Sequence, residues 1–282
     1  MIHRLQHRTW GAGTSAMDAA VELEAGAVLF LPELSFDVRP GERPHFSPSI
    51  AVAKNVSFDP ATGRLGGVAK VDESLTTMLS RFSEAAGSLA SALFPGYRGR
   101  LERARASFRP AEIAGRQTTW RHDDTRLHID SFPATPVQGR RILRVFSNVN
   151  PDGRHRSWRV GEPFEEVAGR FGRQLRLPLP FSGSLLRLAG ITKSRRSPYD
   201  ALMLQLHDRM KADLTYQKQA RQTSVDFPAG STWIAFTDCV SHAAMAGQYQ
   251  LEQTFLLPVD AMQEPARSPL RILERITNRA LL

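Results

Sequence analysis

Apolar positions recur along this chain with two periods, and the changes of period mark its organisation. Between residues 26 and 60, short apolar runs alternate with Pro and Gly (AVLFLPELSF, then SPSIAVAKNVSFDP), which predicts strands and turns. Residues 73–94 place Leu75, Met78, Leu79, Phe82 and Ala85 at helical spacing, and Pro95-Gly96 stops the helix. From 117 to 150 the pattern turns to strands: QTTWRHDD, TRLHIDSF and RRILRVFSNVNP. A helix is predicted over 161–176, opened by Gly161 and Pro163, and another over 199–214, where Leu202, Leu206 and Met210 recur. Residues 224–258 read as several strands broken at Pro228-Ala229-Gly230 and at Gly247. The last helix is capped by Ser268 and opened by Pro269. It sets Leu270, Ile272, Leu273, Ile276 and Ala280 on one side and Arg271, Arg275 and Arg279 on the other. Helices early and late around a strand-rich middle predict an α+β fold with a β-barrel core. Residues 1–282 are expected to form one domain with helical or loop extensions at both ends.

Composition narrows the class. A chain of 282 residues, 41% hydrophobic and 23% charged, has enough apolar material for one sizeable core and is not expected to be disordered. The single cysteine, Cys239, excludes an intramolecular disulfide and a four-cysteine zinc site, and suits a reducing, cytoplasmic compartment. No run of eighteen apolar residues is present, and no signal-length apolar stretch follows the basic segment Met1–Trp10. A soluble or peripheral protein is expected. The formal net charge is +9, and of 37 basic residues only five are lysines (Lys54, Lys70, Lys193, Lys211 and Lys218). Thirty-two arginines suit an anionic partner such as nucleic acid, anionic lipid or an acidic sugar. A genome rich in arginine codons would produce the same excess. The glycine-rich PATGRLGG (60–67) and GAG (11–13) lack the Lys-Ser/Thr of a phosphate loop and read as turns, and no G-x-S-x-G elbow is present.

The candidate chemistry lies in the histidines. His3 and His7 fall in the terminus, His45 in a Pro-rich loop, His155 in the polar turn PDGRHRS, and His207 on a helix where it is expected at the surface. His128 and Asp130 differ. They continue the run Leu127-His128-Ile129-Asp130-Ser131-Phe132, and a period of two puts His128, Asp130 and Phe132 on one face. A histidine and a carboxylate aimed at one point supply two ligands of a facial triad, which leaves three positions open on ferrous iron. His122 and Asp124 share the spacing but sit in the wholly polar stretch Arg-His-Asp-Asp. The candidate third ligand is His242, at a strand edge in a largely apolar setting.

The stretch LHIDSFPATPVQGRRILRVFSNVNPDGRHRSWRVGEPFE (127–165) resembles the 3-deoxy-D-manno-oct-2-ulosonic acid (Kdo) 3-hydroxylases. The likeness extends to KNVSFDP (54–60), the His242 segment and SPLRILER (268–275). The resemblance implies a double-stranded β-helix (jelly-roll, cupin-like) core flanked by helices. It also implies Fe(II), 2-oxoglutarate and O2, hydroxylation of Kdo at C3 in the lipopolysaccharide inner core on Kdo-lipid A, and release of succinate and CO2. On this reading His128, Asp130 and His242 hold the metal. Many members of the wider superfamily carry a basic residue soon after the distal histidine to anchor 2-oxoglutarate. Here that stretch is Ala246-Gly247-Gln248-Tyr249, and no basic residue follows until Arg267. The expected anchor is therefore Arg144, on a face with Ile142 and Phe146, with Asn148 on the same face and Arg141, opposite, as the runner-up. A salt bridge from Arg144 to an acid such as Glu252 is the alternative. Arg154, Arg156 and Arg159 are expected at the entrance for the acidic sugar, and Trp158 against its ring. The arginine face of the last helix is a candidate contact for an anionic membrane, at the inner face of the inner membrane. A nucleic-acid demethylase of the same superfamily and a non-catalytic cupin-like anion binder are the rival readings.

Overall fold

Residues 141–148 are buried without a break, because this strand is covered on both faces and hydrogen-bonded along both edges. The computed structural model describes residues 1–11 and 18–282, so of the Gly11-Ala12-Gly13 turn only Gly11 lies within the described residues. In chain order the strands are β1 (Ile2–Arg4), β2 (Val28–Leu31), β3 (Val56–Asp59), β4 (Arg64–Gly66), β5 (Glu102–Arg109), β6 (Arg141–Asn148), β7 (Arg156–Pro163), β8 (Thr223–Phe227), β9 (Thr232–Phe236), β10 (Val240–Ala246) and β11 (Gln250–Leu257). The large sheet runs β1-β2-β9-β6-β11-β5-β3-β4, and among the described residues its only parallel pair is β1 with β2. A smaller antiparallel sheet, β10-β7-β8, faces it.

Aromatic side chains hold the two sheets together. Phe227 of the small sheet stacks on Trp233 of the large one at 4.1 Å, and Trp158 meets Phe146 edge-on at 5.0 Å. Such pairs add about 0.5–1.5 kcal/mol each beyond the area they bury. Two facing sheets with helices outside make the expected α+β architecture with a jelly-roll core.

The helices are α1 (Ala19–Glu24), α2 (Glu73–Leu93), α3 (Phe164–Phe171), α4 (Ser182–Leu188), α5 (Pro198–Ala212), α6 (Leu214–Gln219) and α7 (Pro269–Thr277). In α2 the Asp72 carboxylate accepts from the amides of Ser74 and Leu75, and the predicted stripe of Leu75, Met78, Leu79 and Phe82 is buried. The helix predicted over 161–176 is shorter: β7 consumes residues up to Pro163, and α3 begins after it. The helix predicted over 199–214 divides at Asp213, whose side chain caps α6 by accepting from the Tyr216 amide. In α7, Leu270, Ile272 and Leu273 are buried as expected, but Ile276 is 42% exposed, and the helix ends at Thr277, before the expected Arg279 and Ala280. Residues 117–132 form no regular strand, contrary to expectation. Thr119 closes a turn on the amide of His122, and only His128 makes a β-bridge, to His242. Among the described residues, no helix is long and apolar enough to cross a membrane.

Candidate active site

Three chain segments converge at one end of the space between the sheets. The extended segment 124–130 lies beside β10 and the turn that joins it to β9, and meets them at three points. The amide of Ala244 donates to the Asp124 carbonyl, His128 and His242 exchange both backbone bonds, and the amide of Asp130 donates to the Thr237 carbonyl. The Gln217 side chain of α6 satisfies both the N–H and the C=O of Leu127, as a neighbouring strand would. Leu127 and Ile129 are thereby buried on one side, and His128 and Asp130 turn to the other.

His128, Asp130 and His242 form a group whose ligand atoms all lie within 4.8 Å of one another. A carbonyl oxygen only accepts, so each imidazole must present a protonated Nδ1 to its carbonyl: His128 to Arg126 at 2.7 Å and His242 to Val240 at 2.8 Å. Both Nε2 atoms are left with free lone pairs, the orientation a metal-binding histidine needs. Trp158 stacks on the His242 ring at 5.0 Å and fixes its plane. Burial holds both histidines below their ordinary pKa, hence neutral and able to ligate. Burial alone would raise the Asp130 pKa, but the Arg144 guanidinium is the largest opposing influence, and the carboxyl is held well below the usual carboxylate range.

The group lines a cavity of about 470 Å³, together with six cations (Lys54, Arg109, Arg121, Arg144, Arg156 and Lys211). Most of these are matched by acids. Arg144 bridges Asp130 at 3.2 Å and Glu252 at 3.1 Å; Arg109 pairs with Glu252 at 2.7 Å, Lys54 with Asp124 at 2.6 Å, and Arg121 with Asp208 at 3.1 Å. Lys211 donates to the Arg121 carbonyl at 2.9 Å. Among the four arginines Arg156 stands apart. It is 2% exposed, donates to the Gly247 carbonyl at 2.7 Å, and pairs with no carboxylate among the described residues. Burial, with repulsion from Arg109, pushes its pKa down to about 9, so it remains a cation at neutral pH with an unmet demand for an anion. Arg144 Nε, Arg156 Nε and Trp158 Nε1 are buried donors with no acceptor among the described residues, and all three residues line the cavity. Unsatisfied buried donors converging on one space are expected to face an acceptor-rich ligand.

The expected site residues separate accordingly. Arg144, Arg156 and Trp158 reach the cavity. Arg141 does not: it is buried against Asp238 at 2.7 Å and over the Phe236 ring at 4.0 Å. Asn148 is a structural tie, its amide donating to the carbonyls of Arg154 and Phe227 while its oxygen accepts from the Asn150 amide. Arg154 is half-exposed and bonds Gln248, and Arg159 bonds the Thr125 carbonyl; neither lines the cavity. His207, expected at the surface, lines the cavity with its ring 5.4 Å from that of His128. His122 and Asp124 also reach the cavity, but Thr119 holds the His122 ring and Lys54 neutralises Asp124. Arg109, Gln250, Lys54, Arg121, Asp208 and Lys211 escaped the sequence reading; no local motif marks them, and only the sheet, α5 and the loops that carry Lys54 and Arg121 bring them together.

Comparison with known proteins adds the context. A family model described as 3-deoxy-D-manno-oct-2-ulosonic acid (Kdo) hydroxylase matches residues 8–280. A crystal structure of the Kdo hydroxylase KdoO, a non-heme Fe(II) alphaketoglutarate dependent dioxygenase in complex with alphaketoglutarate and Fe(III), superposes with a TM-score of 0.97 at 47% identity, covering 100% of this chain and 97% of that one. The same enzyme with cobalt(II) gives a TM-score of 0.96 at 47% identity over 99% of this chain and 97% of that one. With succinate and Fe(III) it gives 0.96 at 46% identity and the same coverage. Among curated protein sequences none matches the chain.

Proposed function

Since the chain belongs to the Kdo hydroxylase family, we propose that it hydroxylates Kdo at C3 in Kdo-containing lipid A, consuming 2-oxoglutarate and O2 and releasing succinate and CO2. The nucleic-acid and non-catalytic readings give way to the family assignment. The observation that carries the proposal is the convergence of His128, Asp130 and His242, two neutral imidazoles and one ionised carboxylate, in a cavity with a buried arginine that no acid neutralises. That donor set fits Fe(II), and the unpaired donors fit a dicarboxylate. When bound, iron supplies the redox chemistry that couples decarboxylation of the oxoacid to transfer of one oxygen atom onto the sugar.

The chain's residues divide the remaining work. Arg144 keeps Asp130 ionised and aimed at the metal position. Trp158 fixes the His242 ring, and the backbone carbonyls of Arg126 and Val240 fix both tautomers. Arg156 takes the far carboxylate of 2-oxoglutarate, with Arg144 Nε and Trp158 Nε1 as further donors. Lys211, buried in the cavity wall, has no carboxylate partner among the described residues and is placed to meet the acidic sugar, with the more exposed Arg121 and Lys54 beside it. Phe146, Trp158 and Leu204 exclude water from the reacting centre. We read residues 1–282 as one domain. Glu24, early in the chain, accepts from the amides of Gln263 and Glu264 and from the Tyr97 hydroxyl, so both ends close over one core. The test is incubation with Fe(II), 2-oxoglutarate and Kdo-containing lipid A under O2. A mass gain of one oxygen on the Kdo unit is expected, with stoichiometric succinate; the absence of both would overturn the proposal.

A further inference from the structure

Between Glu166 and Asp200 the chain carries no acidic residue. Within residues 172–196 it carries six cations: Arg173, Arg176, Arg187, Lys193, Arg195 and Arg196. Arg170, just upstream, is paired with Glu162 at 3.1 Å, whereas none of these six makes an ion pair among the described residues. The same segment exposes a cluster of large apolar side chains: Leu179 at 80%, Phe181 at 83%, Leu185 at 64%, Leu188 at 86% and Ile191 at 59%. Its helix, α4, buries none of its seven residues, and the described residues leave Leu185 and Leu188 largely uncovered. Isolated helices of that length are unstable in water, and a soluble protein rarely leaves an apolar cluster of this kind uncovered.

The segment is held firmly and in a telling place. At one end, the amide of Arg176 donates to Gln205 Oε1 at 2.9 Å, and Gln205 Nε2 donates back to the Arg176 carbonyl at 2.7 Å; Gln205 adjoins the cavity-lining Leu204 of α5. At the other end, the amide of Lys193 donates to the Ala134 carbonyl at 2.9 Å, and Arg196 donates to the carbonyl of Pro133, which itself lines the cavity, at 2.6 Å. Gly183 lies so close to Arg196 that a Cβ there would sit 2.1 Å from the Arg196 carbonyl oxygen, so the excursion closes on its own base. One stem is therefore tied to a residue that lines the candidate active site, and the other to α5, the helix that also carries Leu204, His207, Asp208 and Lys211 of its lining.

We propose that residues 176–196 are a membrane-docking surface that seats the mouth of the cavity on an anionic lipid surface. Leucine and phenylalanine enter the headgroup boundary, and the surrounding arginines and lysines meet lipid phosphates. A second copy of the chain is the poorer occupant, because a symmetric contact would set five unpaired cations against five more. The surface differs from the arginine face of α7, where Arg271 is paired with Glu274 at 2.6 Å and Arg275 with Glu165 at 3.0 Å. The inference deepens the function proposed above, since a lipid-linked sugar must be presented to the cavity from a membrane.

The experiment is flotation of the full-length protein with vesicles of phosphatidylethanolamine and phosphatidylglycerol, or of phosphatidylcholine alone. Three proteins are compared: wild type, a Leu179→Ser/Phe181→Ser/Leu185→Ser/Leu188→Ser variant, and an Arg271→Gln/Arg275→Gln/Arg279→Gln variant. Wild type and the α7 variant are expected to float with the anionic vesicles at least tenfold more than the serine variant, and none with phosphatidylcholine. The altered serine-variant side chains are exposed, so its melting temperature should equal that of wild type, and its turnover of a deacylated, water-soluble Kdo substrate should be unchanged. Equal flotation of wild type and serine variant overturns the proposal. So does a wild-type dimer in sedimentation that the serine variant breaks, without flotation. Loss of turnover on both substrate forms by all three proteins would count against the proposed reaction, while flotation still decides the surface.

Discussion

Arg156→Gln should weaken 2-oxoglutarate binding without weakening the protein. The guanidinium is fully desolvated and meets only one carbonyl in the protein, so its charge is uncompensated until an anion arrives. A charge-assisted contact buried to this degree contributes about 2–4 kcal/mol. At 1.4 kcal/mol per tenfold, that is roughly a 30- to 700-fold rise in the 2-oxoglutarate concentration needed for half-maximal turnover. Stability should move the other way. Removing an unpaired buried cation strands no acid, so the melting temperature of the ligand-free protein should stay level or rise. Arg144→Gln is the contrasting perturbation. It strips the counter-charge from Asp130 and one of the two from Glu252, and breaking a buried pair of this kind costs about 3–5 kcal/mol. For a chain of this size that corresponds to a fall in melting temperature on the order of 10 °C. The assay is a 2-oxoglutarate titration of succinate formation, with thermal melts of each variant with and without the oxoacid. An unchanged titration for Arg156→Gln, or a large loss of its ligand-free stability, would refute the reasoning and return the anchor to Arg144.

Single replacement of His128, Asp130 or His242 by Ala should abolish stoichiometric iron binding and turnover while circular dichroism stays native, whereas His122→Ala should keep its iron; metal analysis of the purified variants decides this. Gly247→Ala should raise the 2-oxoglutarate requirement and cost about 1–3 kcal/mol of stability. Gly247 has φ +112°, and a Cβ there would lie 2.8 Å from Arg156 Cδ; a normal titration and melt would show that Arg156 does not depend on this close approach. Arg141→Met should lower stability by about 3–5 kcal/mol by stranding the buried Asp238, yet leave the 2-oxoglutarate titration of the folded protein unchanged; a shifted titration would give Arg141 a role in the site.

Much of the fold was legible where one physical signal dominated. Helix α2 combines a capping aspartate, a continuous apolar stripe and a proline stop, and its ends fall within a residue of those predicted. Residues 117–132 show why other parts were not. Alternation correctly assigned Leu127 and Ile129 to one side and His128 and Asp130 to the other, because alternation reports extended backbone. It does not report which groups satisfy that backbone. For Leu127 the partner is a glutamine side chain 90 residues away, and no periodicity in either segment announces it. The division of the helix predicted over 199–214 has a similar origin. Asp213 suits a helix terminus as well as a solvated helix face, and the choice was made by the cap it forms.

The arginines mark a deeper limit. Arg141 and Arg144 were correctly placed on opposite faces of β6, since three residues along a strand must point apart. Whether either cation remained available to a ligand depended on Asp238, Asp130 and Glu252, which arrive from other segments. Arg156 was assigned to a polar turn because Arg154 and His155 precede it. The usable signal lay downstream: Arg156, Trp158 and Val160 share one face of β7 at period two, and two of the three are apolar core residues. A cation on such a face is either paired or held for an anion, and sequence alone does not separate the two. The glycine at 247 does distinguish this arginine in retrospect. Its missing Cβ makes room for the guanidinium stem, and its carbonyl gives Arg156 a neutral partner that leaves the charge unspent. The stretch that lacks the expected basic anchor after His242 thus contains the residue that makes room for the proposed anchor on the neighbouring strand.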